Sequence, residues 1–532
     1  MATVIPFRRA LTVTASATHT RIPKWIGPWF RRHLRSVLLV TGLLVAIGIV
    51  MGLNISGWPG RINEDEGTYV SEAWAIEYWK ELAHYTYWYD HPPLGWILIA
   101  GYAVLTDGFE RVHTALTVGR EFMLITSLIS AGLMYILARR VGLSRTFSSI
   151  AVVLFAVSPL SLHYHRMVFL DNLAIMFGLA AFAIAASPKK SIAAAAGAGF
   201  TFAMAMLCKE TIAILFPALV WILIQHTVKG SRKWNGPILF GVSFLFGFQY
   251  ILFATLKNEL LQGPGHVSLQ DALVWQLHGR PGTGSLLDPE SGTFGLARSW
   301  VNEDPWLLLL GAALIPIAFA IKKLRPIAAA QLTLILMMCN TGYMPYPYVI
   351  ALLPFAALLI AGTAGRLWDV RRPDGSRLFS FSAVRSYLAR GSVLIVALIF
   401  AVFVSIGWGR TIYQADTTDL SGPSRQATQW IIDRTDKDDV IVVDDYVWPD
   451  LALHGYTKQI WFYKTDLDPE VKATLLPNGY SDIDYVVLGH LADNTIRDLP
   501  TVATAIKEST VLADFGNGEI TVRKVVKPTG PN

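Results

Sequence analysis

Charge is scarce in this chain and cysteine is nearly missing. Only 16% of the 532 residues are Asp, Glu, Lys or Arg, against about 25% in soluble domains. The deficit comes with 53% hydrophobic residues and a mean hydropathy of +0.42, which excludes an ordinary soluble globular protein. The two cysteines, Cys208 and Cys339, sit in or beside apolar segments. Two cannot build a disulfide framework or a zinc site, so both read as small buried hydrophobes. Internal repeats and low-complexity tracts are lacking too. Ser36 to Ser56 carries no charge at all.

What is present is a series of apolar runs of roughly 17–22 residues, the length that crosses a bilayer. Spans are expected at about 37–56, 120–138, 147–163, 168–186, 192–207, 211–228, 236–256, 305–321, 326–342, 348–365 and 391–409. The chain therefore reads as an α-helical multi-span membrane protein of about 11 transmembrane helices. The basic first 36 residues lack the form of a simple signal peptide, so the first run is expected to be a retained span. Lys and Arg in the loops orient the bundle. With the N-terminus cytoplasmic, the inner pieces are 1–36, 138–146, 187–191, 229–233, 322–325 and 366–390. They hold 24 basic residues and two acids, Asp369 and Asp374; the rest holds 21 basic and 37 acidic residues. The net charge of +6 thus reports topology and contact with the inner leaflet of a plasma membrane, and no nucleic-acid partner.

Three segments fall outside: 57–119, 257–304 and 411–532. The last carries 19 acids against 11 basic residues. Its helix-like SRQATQWIIDRT precedes strand-like DDVIVVDD, IDYVVLG and EITVRKVV, which predicts a small extracytoplasmic α/β domain.

The first outer loop begins with Glu64-Asp65-Glu66. Asn63 followed by Glu66 approximates a capping box, and the stretch from Thr68 to Leu82 suits an interfacial helix, so a capped helix with an aromatic belt is one reading. Other charges favour a second. Arg166 and Asp171 lie at one span junction, Lys209 and Glu210 at another, and Arg120 opens a span, all on the outer side. With Asp65, Glu66, Asp90 and His91 they form one polar outer surface. Carboxylates there activate a hydroxyl, and cations hold a phosphate. Tyr85, Tyr87, Trp88 and Tyr89 fit either sugar stacking or lipid packing. No cofactor is required. His163 and His165 are the candidates for a divalent metal, but their i, i+2 spacing separates them on a helix. HGRPGTGS, at His278 to Ser285, lacks the ending of a phosphate loop and reads as a flexible lid.

Asp65-Glu66, then DHPPLG at Asp90 to Gly95, then RMVFLDN at Arg166 to Asn172, resembles the protein O-mannosyltransferase superfamily. Trp96 stands where the mannosyltransferases usually have Lys, and Cys208-Lys209-Glu210 resembles the bacterial branch that includes the lipid A aminoarabinose transferases. The resemblance implies a GT-C fold and a polyprenyl-phosphate sugar as donor. It also implies inverting transfer to an acceptor hydroxyl of an envelope glycan, lipid or protein. Asp65 would be the base and Glu66 an orienting or acceptor-binding residue, with those two roles exchangeable. By placement and charge, Arg120, Arg166 and Lys209 are candidates to stabilise the leaving phosphate. Two rival classes are a transporter, whose charges would lie near the midplane, and a non-catalytic sugar or lipid receptor.

Overall fold

The computed structural model describes residues 26–82, 88–187, 191–263, 266–369, 381–492 and 496–527. Helices occupy the chain up to residue 417, and a five-stranded sheet lies within 441–525. The first elements are α1 (Ile26–Gly52), α2 (Asp65–Tyr78), α3 (Leu94–Thr106), α4 (Gly108–Arg111) and α5 (Ala115–Arg140). Next come α6 (Arg145–Val157), α7 (Pro159–Tyr164), α8 (Leu170–Ala185) and α9 (Ile192–Cys208).

Among the described residues, five helical segments are long and apolar enough to cross a membrane: His33–Gly52, Ala115–Arg140, Lys229–Leu256, Tyr346–Trp368 and Tyr387–Arg434. Shorter apolar helices complete the bundle. Its centre is Tyr346–Trp368, whose apolar window is 89% buried. The flank is greasy, with Phe240, Phe244 and Leu245 all exposed. Small residues set the close spacing inside. Ala195, Ala198 and Gly199 of α9 are buried, and a Cβ on Gly199 would lie 2.6 Å from the Leu239 carbonyl oxygen. This is how small residues let membrane helices approach.

Two segments differ from the sequence reading. Residues 57–119, expected as one outer loop, contain the apolar α3 as well as α2. Its 13 residues reach only about 20 Å at 1.5 Å per residue, short of the roughly 30 Å hydrocarbon core. Trp96, Ile99, Ala100 and Ala103 bury it against its neighbours. Residues 305–321, expected as one span, form Pro305–Ala313 and Ile315–Ala320. Pro316 enters just after the break, where a proline withdraws an N–H and clashes with the preceding turn.

The long helix Phe381–Thr417 leads into the C-terminal sheet. Asn54 donates to the carbonyls of Ala415 and Thr418 at 3.1 and 2.9 Å. Leu420 and Ser421 donate to Gly57. These bonds fix the sheet beside the 54–60 turn. Its order is β2-β1-β3-β5-β4, with β1 (Ile441–Val443), β2 (Gln459–Trp461), β3 (Tyr485–Gly489), β4 (Ser509–Phe515) and β5 (Ile520–Val525). β1 runs parallel to β2 and β3, while β5 is antiparallel to β3 and β4. The Ile-Val-Val of β1 is buried throughout, as a central parallel strand requires. The edge strand β4 carries a bulge between Val511 and Ala513, which blunts an otherwise open edge.

Candidate active site

α2 starts at Asp65, and its N-cap is Glu64 with no side-chain cap bond. The capping box expected from Asn63 and Glu66 does not form. Asn63 instead accepts from the Asp65 amide at 3.3 Å and donates to the Asp65 carboxylate at 3.0 Å. Glu66 turns the other way, because adjacent helical residues point about 100° apart.

Glu66 is completely buried. It accepts from Arg120 Nε at 3.0 Å and Nη2 at 2.8 Å, from the Val168 amide at 2.9 Å and from the Tyr446 hydroxyl at 3.1 Å. Arg120 is equally enclosed. Its remaining donors reach the carbonyls of Ile55 at 3.2 Å and Pro59 at 2.9 Å. The fork-to-fork geometry is the strong form of an ion pair, and it leaves neither partner open to a ligand. These contacts differ from the phosphate and acceptor contacts considered for the two residues from the sequence. Arg120 holds Glu66 and the carbonyls of Ile55 and Pro59, and Glu66 ties α2 to α5 and residue 168.

Asp65, half-buried, lies on the other side of α2 with Tyr69 one turn on. The Tyr69 ring is 6.3 Å from His91 and stacks on Trp96 at 6.4 Å. Burial raises its phenol, and Asp65, Asp171, Glu72 and Asp90 add to the rise by their charge, so these carboxylates gather around it. His91 joins two more expected residues: Nε2 is 2.8 Å from Lys209 Nζ, and Nδ1 is 3.2 Å from Glu210 Oε2. Lys209 Nζ in turn lies 3.9 Å from Asp171 Oδ2. Asp90 is exposed in the turn just before. A cleft opens beside Asp171 and Lys209, with apolar walls from Ala174, Ile212, Leu334 and Ala351.

Arg166 belongs with Arg120 rather than with Lys209. It is buried, donates to the Leu53 carbonyl and lies 5.2 Å over the Trp58 ring. Its Nε and Nη1 meet no acceptor among the described residues. Burial and the charge of Arg120 pull it down to about 10.

The aromatic expectations resolve unevenly. Tyr85 and Tyr87 lie outside the described residues, and only the backbone of Trp88 is described. Tyr89 is buried and donates to Glu259 at 2.7 Å, so it packs. His163 pairs with Glu303 at 2.9 Å, whereas His165 meets the Phe155 ring edge-on. The two rings thus have different partners. The 278–285 segment is tied down: Arg280 lies 3.4 Å over the Tyr343 ring, and Thr283 donates to Gly342.

Sequence reading missed a second row of groups, from the segment after β1. Asp444 pairs with Arg61 at 2.7 Å. The Asp445 amide donates to Glu64 at 3.1 Å, and Thr68 donates to the Asp445 carboxylate at 2.5 Å. Burial, reinforced by Asp444, pushes Glu64 up to about 8, against the pull of Arg61. Burial likewise raises Asp445. The only sequence signal was a pair of acids closing an apolar strand.

Residues 90–253 match the family model of dolichyl-phosphate-mannose-protein mannosyltransferases. No curated protein matches the chain in sequence. In fold it is similar to ArnT from Cupriavidus metallidurans bound to undecaprenyl phosphate, with a TM-score of 0.56 and 14% identity over 94% of this chain and 100% of that one. It is also similar to the oligosaccharyltransferase of Archaeoglobus fulgidus tethered with an acceptor peptide. There the TM-score is 0.51, at 11% identity over 94% of this chain and 76% of that one. At such identities the likeness is one of fold. The chain thus shares its overall fold with these membrane proteins, and its sequence match to the mannosyltransferase family is confined to residues 90–253.

Proposed function

We propose that this protein transfers a sugar from a polyprenyl-phosphate donor to an acceptor hydroxyl at the outer face of a cell membrane, with Asp65 as the base. The observation that carries the assignment is the divergence of the acid pair. Glu66 has every lone pair engaged by Arg120, Val168 and Tyr446. Among the described residues Asp65 is hydrogen-bonded by Asn63, and its charge acts on Asp171 and Tyr69. The match to mannosyltransferases over 90–253 and the undecaprenyl phosphate on ArnT support the donor class.

In this reaction the acceptor oxygen attacks the anomeric carbon and its proton passes to Asp65. The bond from that carbon to the phosphate oxygen breaks with inversion, and polyprenyl phosphate leaves with the electron pair. Lys209 is placed to meet the charge that develops on the phosphate, and the walls beside it are apolar. Charge stabilisation of this kind acts most strongly where water is excluded. Arg166, whose Nε and Nη1 have no acceptor among the described residues, is a second candidate cation. The acceptor is an envelope glycan, lipid or protein.

Asp65→Asn tests the reading. The amide keeps the size and much of the hydrogen bonding but cannot take the proton. Turnover of a radiolabelled polyprenyl-phosphate sugar should fall about 100-fold or more, with donor binding retained. Normal turnover by Asp65→Asn would remove Asp65 from the role of base.

A further inference from the structure

The C-terminal sheet has a crevice that its own topology creates. The chain passes from β1 outward to β2 and then returns to β3 on the other side of β1. The loops after β1 and β3 therefore part at their carboxyl ends. Open α/β sheets bind their ligands at such a switch point. Here the position is filled from within the same chain, by Arg61 of the first loop. Its Nη2 lies 2.7 Å from Asp444, directly after β1. A Cβ on Gly489, the last residue of β3, would lie 2.8 Å from the same nitrogen. The guanidinium is 4.7 Å over the Tyr446 ring, and its side chain is only 3% exposed.

The contacts continue along Asp444–Asp450 in register with the loop. The Asp445 amide and carboxylate engage Glu64 and Thr68. A Cβ on Gly67 would fall 2.2 Å from the Asp445 carbonyl, so only glycine lets α2 lie this close. Tyr446 bonds Glu66. The Trp448 ring meets Trp74 and Trp79 edge-on, each at 5.5 Å. Asp450 accepts from the Ala115 amide at 2.6 Å. That bond supplies a cap to α5, whose own N-cap residue Thr114 makes none. One seven-residue strip thus grips α2 at its first turn and flank, and also the start of the helix that carries Arg120.

We infer that the C-terminal domain is a positioning module for the Asp65-bearing helix, and that Arg61 seated between β1 and β3 is its latch. The inference rests on the transferase reading for the role of Asp65, but not for the grip itself. Asp65 is adjacent to Glu64 and Glu66, both of which the strip holds. A shift of α2 by one ångström would move the base off the line of attack, and misplacement of that size costs about 100-fold in rate.

Amide hydrogen exchange on the full-length protein in detergent, read together with kinetics, tests the proposal. In Asp444→Asn, peptides within 61–78 should exchange at least tenfold faster, while those of α8 and α9 stay unchanged. Turnover should fall tenfold or more, with donor KM within about twofold of wild type. Asp444→Glu keeps the charge and should recover part of both. Should Asp444→Asn loosen the whole protein, Tyr446→Phe serves in its place. It removes one hydroxyl and no charge, and it should still raise exchange within 61–78 alone. Unchanged exchange there in both variants overturns the latch. Faster exchange with full turnover overturns the positioning role. A wild-type protein inactive on the donor, yet showing the same exchange pattern, supports the latch and removes only the transferase reading.

Discussion

Arg120 separates two incompatible assignments, and replacing it with methionine decides between them. In the structure its guanidinium gives Glu66 two charged bonds, at 3.0 and 2.8 Å, and holds the carbonyls of Ile55 and Pro59. Neither side chain of the pair is exposed at all. Methionine fills much of the volume, so little of the cost comes from a cavity. The cost comes from Glu66, left charged out of reach of water with only the Val168 amide and the Tyr446 hydroxyl. Breaking a buried pair from one side costs about 3–5 kcal/mol, a large share of the roughly 5–15 kcal/mol that holds a domain folded. Detergent-purified Arg120→Met should lose its monodisperse form at a clearly lower temperature than wild type. The double variant Arg120→Met, Glu66→Gln removes both charges and should regain part of that loss, since exchanging a whole buried pair is often close to neutral. Donor KM should change little in what remains folded. If Arg120→Met keeps its thermal resistance and raises donor KM tenfold, Arg120 binds phosphate and the reasoning from burial is wrong.

Three further outcomes follow from the same geometry. Glu64 sits between Arg61, Asp444 and Asp445 and is raised from 4.5 to about 8, so the folded protein holds its proton more tightly than the unfolded chain. Its contribution is complete below about pH 4.5 and is lost as pH rises toward 8. Thermal stability should drop between pH 6 and 8, and Glu64→Gln should flatten that drop; an identical profile in the variant contradicts the assignment. Lys209→Met removes a cation worth about 1.5–3 kcal/mol in a charged hydrogen bond. It should lower kcat/KM for the donor about ten- to a hundredfold, and unchanged kinetics would place the phosphate elsewhere. Finally, a single cysteine introduced in 411–532 should react with an impermeant thiol reagent in intact cells, whereas one in 366–390 should be protected. Protection of both would reverse the orientation drawn from the loop charges.

Much of this was legible in the sequence, and the reason is physical. Apolar runs declare a membrane bundle because nothing else tolerates them. Asp171, His91, Lys209 and Glu210 could be grouped because charge at the end of an apolar helix must find a partner or water. Both readings used local composition. The division between Asp65 and Glu66 was not legible. Two neighbouring carboxylates have the same chemistry until their surroundings are known. Those surroundings come from Arg120, 54 positions away, and Tyr446, 380 positions away. The partner of Arg120 was not legible for the same reason, since a cation at the mouth of a span serves a phosphate or a buried carboxylate equally well.

The strip after β1 shows the limit from the other side. IVVDDYVWPD reads as a short strand followed by acids, and acids at a strand end ordinarily face solvent. They are buried here because an arginine from the far end of the chain enters the crevice between β1 and β3. The loop needs that arrangement. A helix of 14 residues is marginal in isolation, and this one starts with two adjacent acids of opposed duty. Asp65 stays half-buried, whereas Glu66 is fully buried and bonded. On an α-helix adjacent residues can differ in this way, because they point about 100° apart. The strip after β1 covers one face of the helix. Glu66 and Tyr446 meet on the covered face, and Asp65 points about 100° away from it.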